Sequence, residues 1–307
     1  MSEMTQTIAP EEAIPAAAQE SQSLSAKEII PRNIDFGFDE TVHYDWLDGC
    51  PGRSNLLNAM SLLFPAGETF FIDSTRPFLK DVTDKKLKKE IKNFMTQEAI
   101  HTREHEAYNE MLERDGLPAK KIEAEVWRDL EMGKKVLNKY QQLGITVALE
   151  HWTAVLANGL LSNPEALDGA HPAMRSVWLW HAVEESEHKA VCFDLMRVAI
   201  KDKKEFEKAR KRALRMVSIP FMARTFMYYT RLMYASGNLF NFKAHWSTMT
   251  YAWGKPGIFR KMWPEFKAFF KDDFHPWDFD NSEYIEKWDA EANSKDEAPE
   301  AFLIAAE

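Results

Sequence analysis

The sequence contains few cysteines and no long apolar run, and these absences narrow the class of protein. Cys50 and Cys192 are its only cysteines, so neither a disulfide framework nor a cysteine-ligated zinc site is indicated, and a reducing cytoplasm fits. There is no stretch of about 18 uncharged apolar residues, so we expect no membrane-spanning helix. Residues 1–30 lack a basic region followed by an apolar core, so we expect no signal peptide.

An excess of basic residues is also absent. The chain has 39 Lys and Arg against 48 Asp and Glu, a net charge of −9, which argues against binding to a nucleic-acid backbone. We find neither a glycine-rich phosphate-binding loop nor an arginine cluster beside the candidate site residues described below. With 307 residues, of which 45% are hydrophobic and 28% charged, the chain is long enough for a substantial globular core.

What the sequence does contain is a series of helical periods, which predicts an all-α bundle of four antiparallel helices with additional C-terminal helices. We expect a disordered tail over 1–30, a single helical domain over 31–290 and a mobile tail over 291–307. Within the domain, the bundle is predicted over 54–200 and the C-terminal extension over 205–285.

Capping and turn residues predict where the bundle helices begin and end. Ser54 is expected to cap the first helix, and Pro65 to kink or restart it. Gly144 is a candidate break in the third. The predicted helices run from Asn55 through Thr75, from Thr83 or Asp84 to about Arg114, over 119–162, and from Pro172 to about Ile200.

Acidic residues and histidines interrupt the apolar faces of these helices. Two stretches, at 98–101 and 185–188, read Glu-x-x-His, and residues three apart share a helix face, so each pair can bind one metal ion. A lone glutamate precedes each pair. This is the ligand set of a dinuclear metal site in a four-helix bundle; the alternative is salt bridges and satisfied histidines in an ordinary bundle. The predicted ligands, which would also be the catalytic residues, are Glu68, Glu98, His101, Glu150, Glu185 and His188.

Three further residues lie close to this ligand set in sequence. His181 and His105 each lie four residues from a predicted ligand on the same face, so either can be a seventh ligand and spacing does not choose between them. Helical side chains lean toward the N-terminus, which mildly favours His105. Glu184 points away from the ligand face and can accept a hydrogen bond from a ligand histidine.

The C-terminal part of the chain begins with a basic stretch over 201–212, followed by a segment rich in methionine and aromatic residues. The simplest interpretation is extra helices packed on the bundle. The alternative is a flexible apolar lid, or a peripheral membrane or lipid contact through 201–245, because methionine adapts to apolar partners and basic amphipathic segments lie on anionic membranes.

The ligand pattern resembles that of the ferritin-like di-iron carboxylate oxygenases. The run His-x-x-x-Glu-x-x-His over 181–188 resembles, more narrowly, the p-aminobenzoate N-oxygenase branch. The stretches Phe-Pro-Ala-Gly-Glu at 64–68 and His-Pro-Trp-Asp at 275–278 are similar to a bacterial family of predicted metal-dependent hydrolases, over about residues 30–285. The resemblance implies a ferritin-like fold, two iron ions as cofactor, with manganese or zinc as alternatives, and His181 rather than His105 as the seventh ligand.

The leading functional prediction is an oxygenase or oxidase that activates dioxygen and acts on a small apolar or aromatic molecule, with an external electron donor. The first alternative is a dinuclear metal-dependent hydrolase, in which the metals activate a water molecule. The second is a non-catalytic iron-binding or ferroxidase protein, although the long aromatic C-terminal region has no counterpart in a minimal ferritin. We expect no nucleic-acid partner and a cytoplasmic location, and the sequence leaves a homodimer open.

Overall fold

The computed structural model describes residues 27–293, so the parts of the predicted tails at 1–26 and 294–307 lie outside the described residues. The described chain is helical, which confirms the predicted all-α class. Its helices are α1 Pro51–Ser61, α2 Phe64–Thr75, α3 Lys85–Arg114, α4 Ala119–Val136, α5 Lys139–Leu161, α6 Pro172–His188, α7 Val191–Ala199, α8 Lys203–Ala235, α9 Phe242–Trp253, α10 Ile258–Ala268 and α11 Ser282–Asn293.

Helices α2, α3, α5 and α6 form the centre of the bundle. The pairs α2–α3 and α5–α6 pack most extensively, and α8 lies across α5 and α1. Helix α10 also packs on α5, and α9 packs on α1. The C-terminal segment is therefore a set of helices packed on the bundle, as its simplest interpretation predicted. No helix within 27–293 is long and apolar enough to cross a membrane.

The predicted interruption at Pro65 is present, because α1 ends at Ser61 and α2 begins at Phe64. The predicted cap at Ser54 is wrong. Helix α1 already begins at Pro51, whose missing N–H costs nothing in the first turn of a helix. The Oγ of Ser54 instead accepts a hydrogen bond of 2.9 Å from the backbone N–H of Leu47.

Helix α3 has the predicted bounds. The Asp84 side chain accepts hydrogen bonds from the backbone N–H groups of Lys86 and Leu87, which otherwise lack partners at a helix start. The helix ends at Arg114, just before Gly116, which adopts a φ of 83°. An uninterrupted helix of 30 residues thus presents its middle turns to the centre of the bundle.

Two predicted helix continuities need correction. The break in 119–162 lies between α4 and α5, not at Gly144, because Asn138 forms a capping box with Gln141 that starts α5. Gly144 lies inside α5 in close packing, where an added Cβ would be 3.5 Å from the Met196 side chain. The region 172–200 is interrupted after His188, where the buried ammonium of Lys189 donates hydrogen bonds of 2.7 Å to the Phe279 carbonyl and the Asn281 side chain.

A buried polar layer divides the apolar core in two. On α3, Leu87, Ile91 and Phe94 belong to one apolar cluster, whereas Tyr108, Met111 and Leu112 belong to the other. Between them α3 buries only polar side chains: Gln97, Glu98, His101, Glu104 and His105. Burying this many polar groups costs free energy unless they have partners.

Candidate metal centre

The polar layer is built by one face of each of four helices. Helix α2 contributes Glu68, α3 contributes Glu98 and His101, α5 contributes Glu150, and α6 contributes the remaining members. Spacings of three and four residues align the side chains within each helix. All of the predicted site residues are at most 4% exposed, namely Glu68, Glu98, His101, His105, Glu150, His181, Glu184, Glu185 and His188.

The two Glu-x-x-His pairs meet across the bundle. One potential ligand atom from each of Glu98, His101, Glu185 and His188 lies within 4.8 Å of the others. The Nε2 atom of His188 is 3.2 Å from Oε1 of Glu98, and Nδ1 of His101 is 3.8 Å from Oε2 of Glu98. The lone Glu150 joins this group, because its Oε2 lies 3.0 Å from Nδ1 of His188. This first cluster can bind a metal ion.

A second cluster adjoins the first. Potential ligand atoms of Glu68, His105 and His181 lie within 4.8 Å of one another. The Nε2 atom of His181 lies 2.9 Å from Oε1 of Glu185 and 3.8 Å from Oε1 of Glu68. Glu185 therefore contacts members of both clusters, as a carboxylate that bridges two metal ions would. Two adjoining clusters of this kind are consistent with a dinuclear site.

His105 lies behind His181, as seen from Glu185. Its Nε2 atom is 2.6 Å from Nδ1 of His181, and its Nδ1 atom is 2.9 Å from Oγ of Ser61. The Ser61 hydroxyl donates its proton to Oδ1 of Asn109, so it must accept from an Nδ1–H of His105. A neutral His105 then accepts from the Nδ1–H of His181. This chain makes Nδ1 of His181 the donor to His105 and directs its Nε2 atom toward the carboxylates.

Glu184 lies where the sequence placed it. Its Oε2 is 3.0 Å from Nε2 of His101, so the imidazole can donate there and keep Nδ1 unprotonated on the side of Glu98. Sequence reasoning missed Arg32, whose backbone N–H and guanidinium both donate to Oε1 of Glu184. Arg32 lies in a segment without helical periodicity, so no sequence pattern linked it to α6.

Many polar atoms at the meeting point of these side chains have no hydrogen-bond partner. They face one another in a fully buried layer, and a buried polar atom without a partner costs about 1–3 kcal/mol, more when it is charged. A bound dication would remove this cost for carboxylate oxygens and imidazole nitrogens alike. The atoms are both carboxylate oxygens of Glu68 and of Glu98, Oε1 of Glu150, Oε2 of Glu185, Nδ1 of His101 and Nε2 of His188.

The electrostatics of the layer also favour a cation. Burial, together with the charge of Glu185, raises the pKa of Glu68 well above its usual value, and burial with the charge of Glu150 does the same for Glu98. Burial raises the pKa of Glu150 to about 7. Burial opposes protonation of His188, but the carboxylates of Glu150 and Glu185 raise its pKa to about 9. The layer therefore retains protons that a dication would displace.

An apolar cavity of about 340 Å³ reaches the candidate centre. Glu68 and Glu185 form part of its wall, and most of the remaining wall is aliphatic or aromatic, including Phe71 and Phe221. Arg224, which pairs with Asp129, also lines it. The cavity gives an apolar molecule space beside two of the predicted ligands.

Other residues near the layer do not join it. His151, next to Glu150 on α5, packs against Phe269 with ring centroids 4.5 Å apart. Cys192 is buried as a free thiol, and burial raises its pKa well above the usual value. His275, from the C-terminal motif, packs in a turn where its Nε2 lies 3.2 Å from Oδ1 of Asp194.

Fold and site together define an all-α bundle with two adjoining clusters of buried carboxylates and histidines. Residues 30–280 match the model of a family described as predicted metal-dependent hydrolase, and the chain belongs to that family. No curated protein and no solved structure matches the chain. The family description names a metal-dependent enzyme, in agreement with the metal-binding capacity of the two clusters.

Proposed function

We propose that the protein is a dinuclear, non-haem iron enzyme that activates dioxygen to oxidise a small apolar or aromatic molecule, with electrons from an external donor. The observation behind this proposal is the set of partnerless buried atoms on Glu68, Glu98, His101, Glu150, Glu185 and His188. Carboxylates and imidazoles without thiolate suit iron, with manganese and zinc as alternatives. We also assign His181 as a ligand through Nε2, because its contact with His105 occupies Nδ1 and directs Nε2 toward Glu185 and Glu68.

Each candidate site residue has a role in this proposal. Glu98, His101, Glu185 and His188, with Glu150, would hold one metal ion, and Glu68 and His181 would hold the other beside Glu185. Glu184 holds the His101 imidazole through Nε2, and His105 holds His181 through Nδ1. When bound, two ferrous ions supply electrons for the reduction of dioxygen.

The cavity favours oxidation of an apolar substrate over hydrolysis. Hydrolysis needs water at the metals and donors that stabilise a developing oxyanion. The cavity wall beside Glu68 and Glu185 is instead formed by side chains such as Phe64, Phe71 and Leu149. Such a wall favours an apolar molecule beside the two carboxylates.

The second candidate function is hydrolysis by the same dinuclear centre, and the family description supports it. In that case zinc or manganese would activate a water molecule between the clusters. Glu150, whose Oε1 atom has no hydrogen-bond partner, would be placed to accept its proton.

One experiment separates the two functions. The protein is loaded anaerobically with ferrous iron, zinc or manganese, and dioxygen uptake is followed with an electrode in the presence of reductant and apolar test substrates. We expect uptake by the iron-loaded wild type and none by the zinc-loaded protein or by iron-loaded Glu98→Gln. The proposed oxidation is wrong if the iron-loaded protein takes up no dioxygen while the zinc- or manganese-loaded protein hydrolyses p-nitrophenyl esters without oxygen. Hydrolysis is then the supported function.

A further inference from the structure

Helix α9 is apolar on two opposite sides, and only one of them packs against the described part of the protein. Ala244, Thr248 and Tyr251 are buried against the bundle. The other stripe has apolar residues at spacings of four, three and four. Phe242, Trp246, Met249 and Trp253 are 78%, 72%, 55% and 47% exposed. Monomeric soluble surfaces rarely place four such residues in one row.

This stripe continues onto two neighbouring helices. Trp253 shares a surface groove of about 510 Å³ with Ile219 and Met222 of α8 and with Trp263 of α10. Ile219 is 77% exposed and Trp263 is 49% exposed. We call the α9 stripe and these groove residues the aromatic face. Three helices thus contribute to a single apolar surface.

The chain around the aromatic face is basic, although the whole protein has a net charge of −9. From Lys208 to Lys271 there are thirteen lysines and arginines and a single acidic residue, Glu265, which is buried. Six of these cations pair with carboxylates, namely Lys208, Arg210, Lys211, Arg224, Arg231 and Lys261. Two of the others lie next to aromatic residues of the face. The Nζ atom of Lys267 is 5.8 Å from the Trp263 ring centroid, and Lys243 is exposed beside Phe242.

We propose that the aromatic face docks on the surface of an anionic lipid membrane. Tryptophan and phenylalanine insert between lipid headgroups, and adjacent lysines and arginines bind anionic lipid. A second copy of the chain fits less well, because a twofold dimer through this face would bring the two basic surfaces together. An anionic membrane complements both the charge and the apolar character of the face.

Membrane docking also indicates a source for the substrate, an inference that rests on the proposed function. The groove and the cavity beside Glu68 lie on either side of the same α8 segment, because Ile219 and Met222 line the groove whereas Pro220 and Phe221 line the cavity. Trp152 of the groove and Phe221 of the cavity are separated by 5.4 Å between ring centroids. A lipid-soluble molecule that enters the groove from the bilayer would therefore lie across this α8 segment from the cavity.

The docking is tested with the full-length protein and sedimented vesicles. We expect the protein to bind vesicles that contain phosphatidylglycerol and to bind phosphatidylcholine vesicles weakly. The double variant Phe242→Ser/Trp246→Ser should bind at least about ten-fold less. The charge variant Lys243→Glu/Lys267→Glu should lose about as much, and added salt should weaken wild-type binding. Because these side chains are exposed, the melting temperature should stay unchanged.

The matched control is Met132→Ser/Val136→Ser, which removes two exposed apolar residues of α4, 58% and 79% exposed, away from the aromatic face. This control should bind vesicles like wild type. The proposal is overturned if wild type does not bind anionic vesicles, or if both double serine variants bind equally. It is also overturned if light scattering shows a dimer that only Phe242→Ser/Trp246→Ser dissociates, since the face then joins two copies. These measurements need no metal, so their failure leaves the proposed oxidation intact.

Discussion

The imidazole of His181 is held at both nitrogens, with Nε2 2.9 Å from Oε1 of Glu185 and Nδ1 2.6 Å from Nε2 of His105. The two histidines therefore have different positions relative to the carboxylates, although their sequence spacing is similar. We expect His181→Ala to lose a metal ligand and His105→Ala to lose only its support.

The prediction for these two variants concerns metal content and spectrum. His181→Ala should bind less than two iron ions per chain or show an altered ligand-field spectrum, whereas His105→Ala should keep two ions with about 10–100-fold weaker affinity. His151→Phe is the control, because His151 is buried among phenylalanines outside the polar layer. Full metal content and an unchanged spectrum in His181→Ala would remove His181 from the ligand set.

Glu184 is predicted to act through His101. Glu184→Gln keeps a hydrogen-bond acceptor for Nε2 of His101 but removes the charge that polarises the imidazole. Metal affinity, measured by competition with a chelator, should fall about 10–100-fold. Glu187→Gln is the matched control, because Glu187 is equally buried and bonds to Arg32 and Gln97 rather than to a predicted ligand. Equal losses in both variants would mean that the buried hydrogen bonds around Arg32, rather than the contact between Glu184 and His101, determine metal affinity.

The raised pKa values predict how the stability of metal-free protein depends on pH. Glu150, with a pKa of about 7, and Glu68 and Glu98, with raised pKa values, keep protons in the folded state that the unfolded chain has already released. His188, with a pKa of about 9, stabilises the fold below its unfolded value of 6.5 and loses that contribution as pH rises toward 9. Both effects have the same sign. His101, His105 and His151 act oppositely below about pH 7, because burial lowers their pKa values and the unfolded chain alone is protonated there. The free energy of unfolding should therefore fall between about pH 7 and 9.

Metal binding should reverse this trend, because a dication displaces those protons. The increase in melting temperature caused by iron or zinc, measured by calorimetry at several pH values, should grow as pH rises from 5 to about 8. A metal-induced increase that is constant over this range would show that binding releases no protons. The titrating carboxylates would then lie outside the metal site.

Alanine substitutions at two glycines should change the free energy of unfolding in opposite directions. A Cβ at Gly52 would lie 2.5 Å from the Ala244 carbonyl oxygen, so α1 and α9 must separate in Gly52→Ala. We expect a loss of about 1–3 kcal/mol in the free energy of unfolding. Gly67 lies in α2 with nothing within 4 Å of an added Cβ, so Gly67→Ala should gain about 0.5–1 kcal/mol. Denaturant titration measures both, and equal effects would contradict the close packing of α1 on α9.

The sequence could predict the polar layer because helical spacing fixes which side chains share a face. Glu98 and His101 had to point the same way once α3 was recognised, and Glu184 had to point elsewhere than Glu185. The pattern could not show which long-range partners satisfy these groups. Arg32 reaches Glu184 across 152 positions of sequence, through a segment without regular structure. Local periodicity contains no information about such a contact.

Helix ends were likewise predictable where their causes are local and unpredictable where the causes are distant in sequence. Asp84 was predictable as a cap because its hydrogen bonds are local. The interruption after His188 was not, since Lys189 finds its partners near residue 280. The sequence showed the residues of the aromatic face only as part of a segment rich in methionine and aromatic residues. It could not show that they form one surface, because they come from three helices whose relative positions depend on tertiary packing.

If one buried layer holds two metal ions, anomalous diffraction from crystals of the iron-loaded protein should show both. We expect two iron peaks per chain, with ligand atoms at about 2.0–2.3 Å. One ion should be bound among Glu98, His101, Glu150, Glu185 and His188, and the other among Glu68, His181 and Glu185. A single peak, or iron bound anywhere other than among these seven residues, would contradict it.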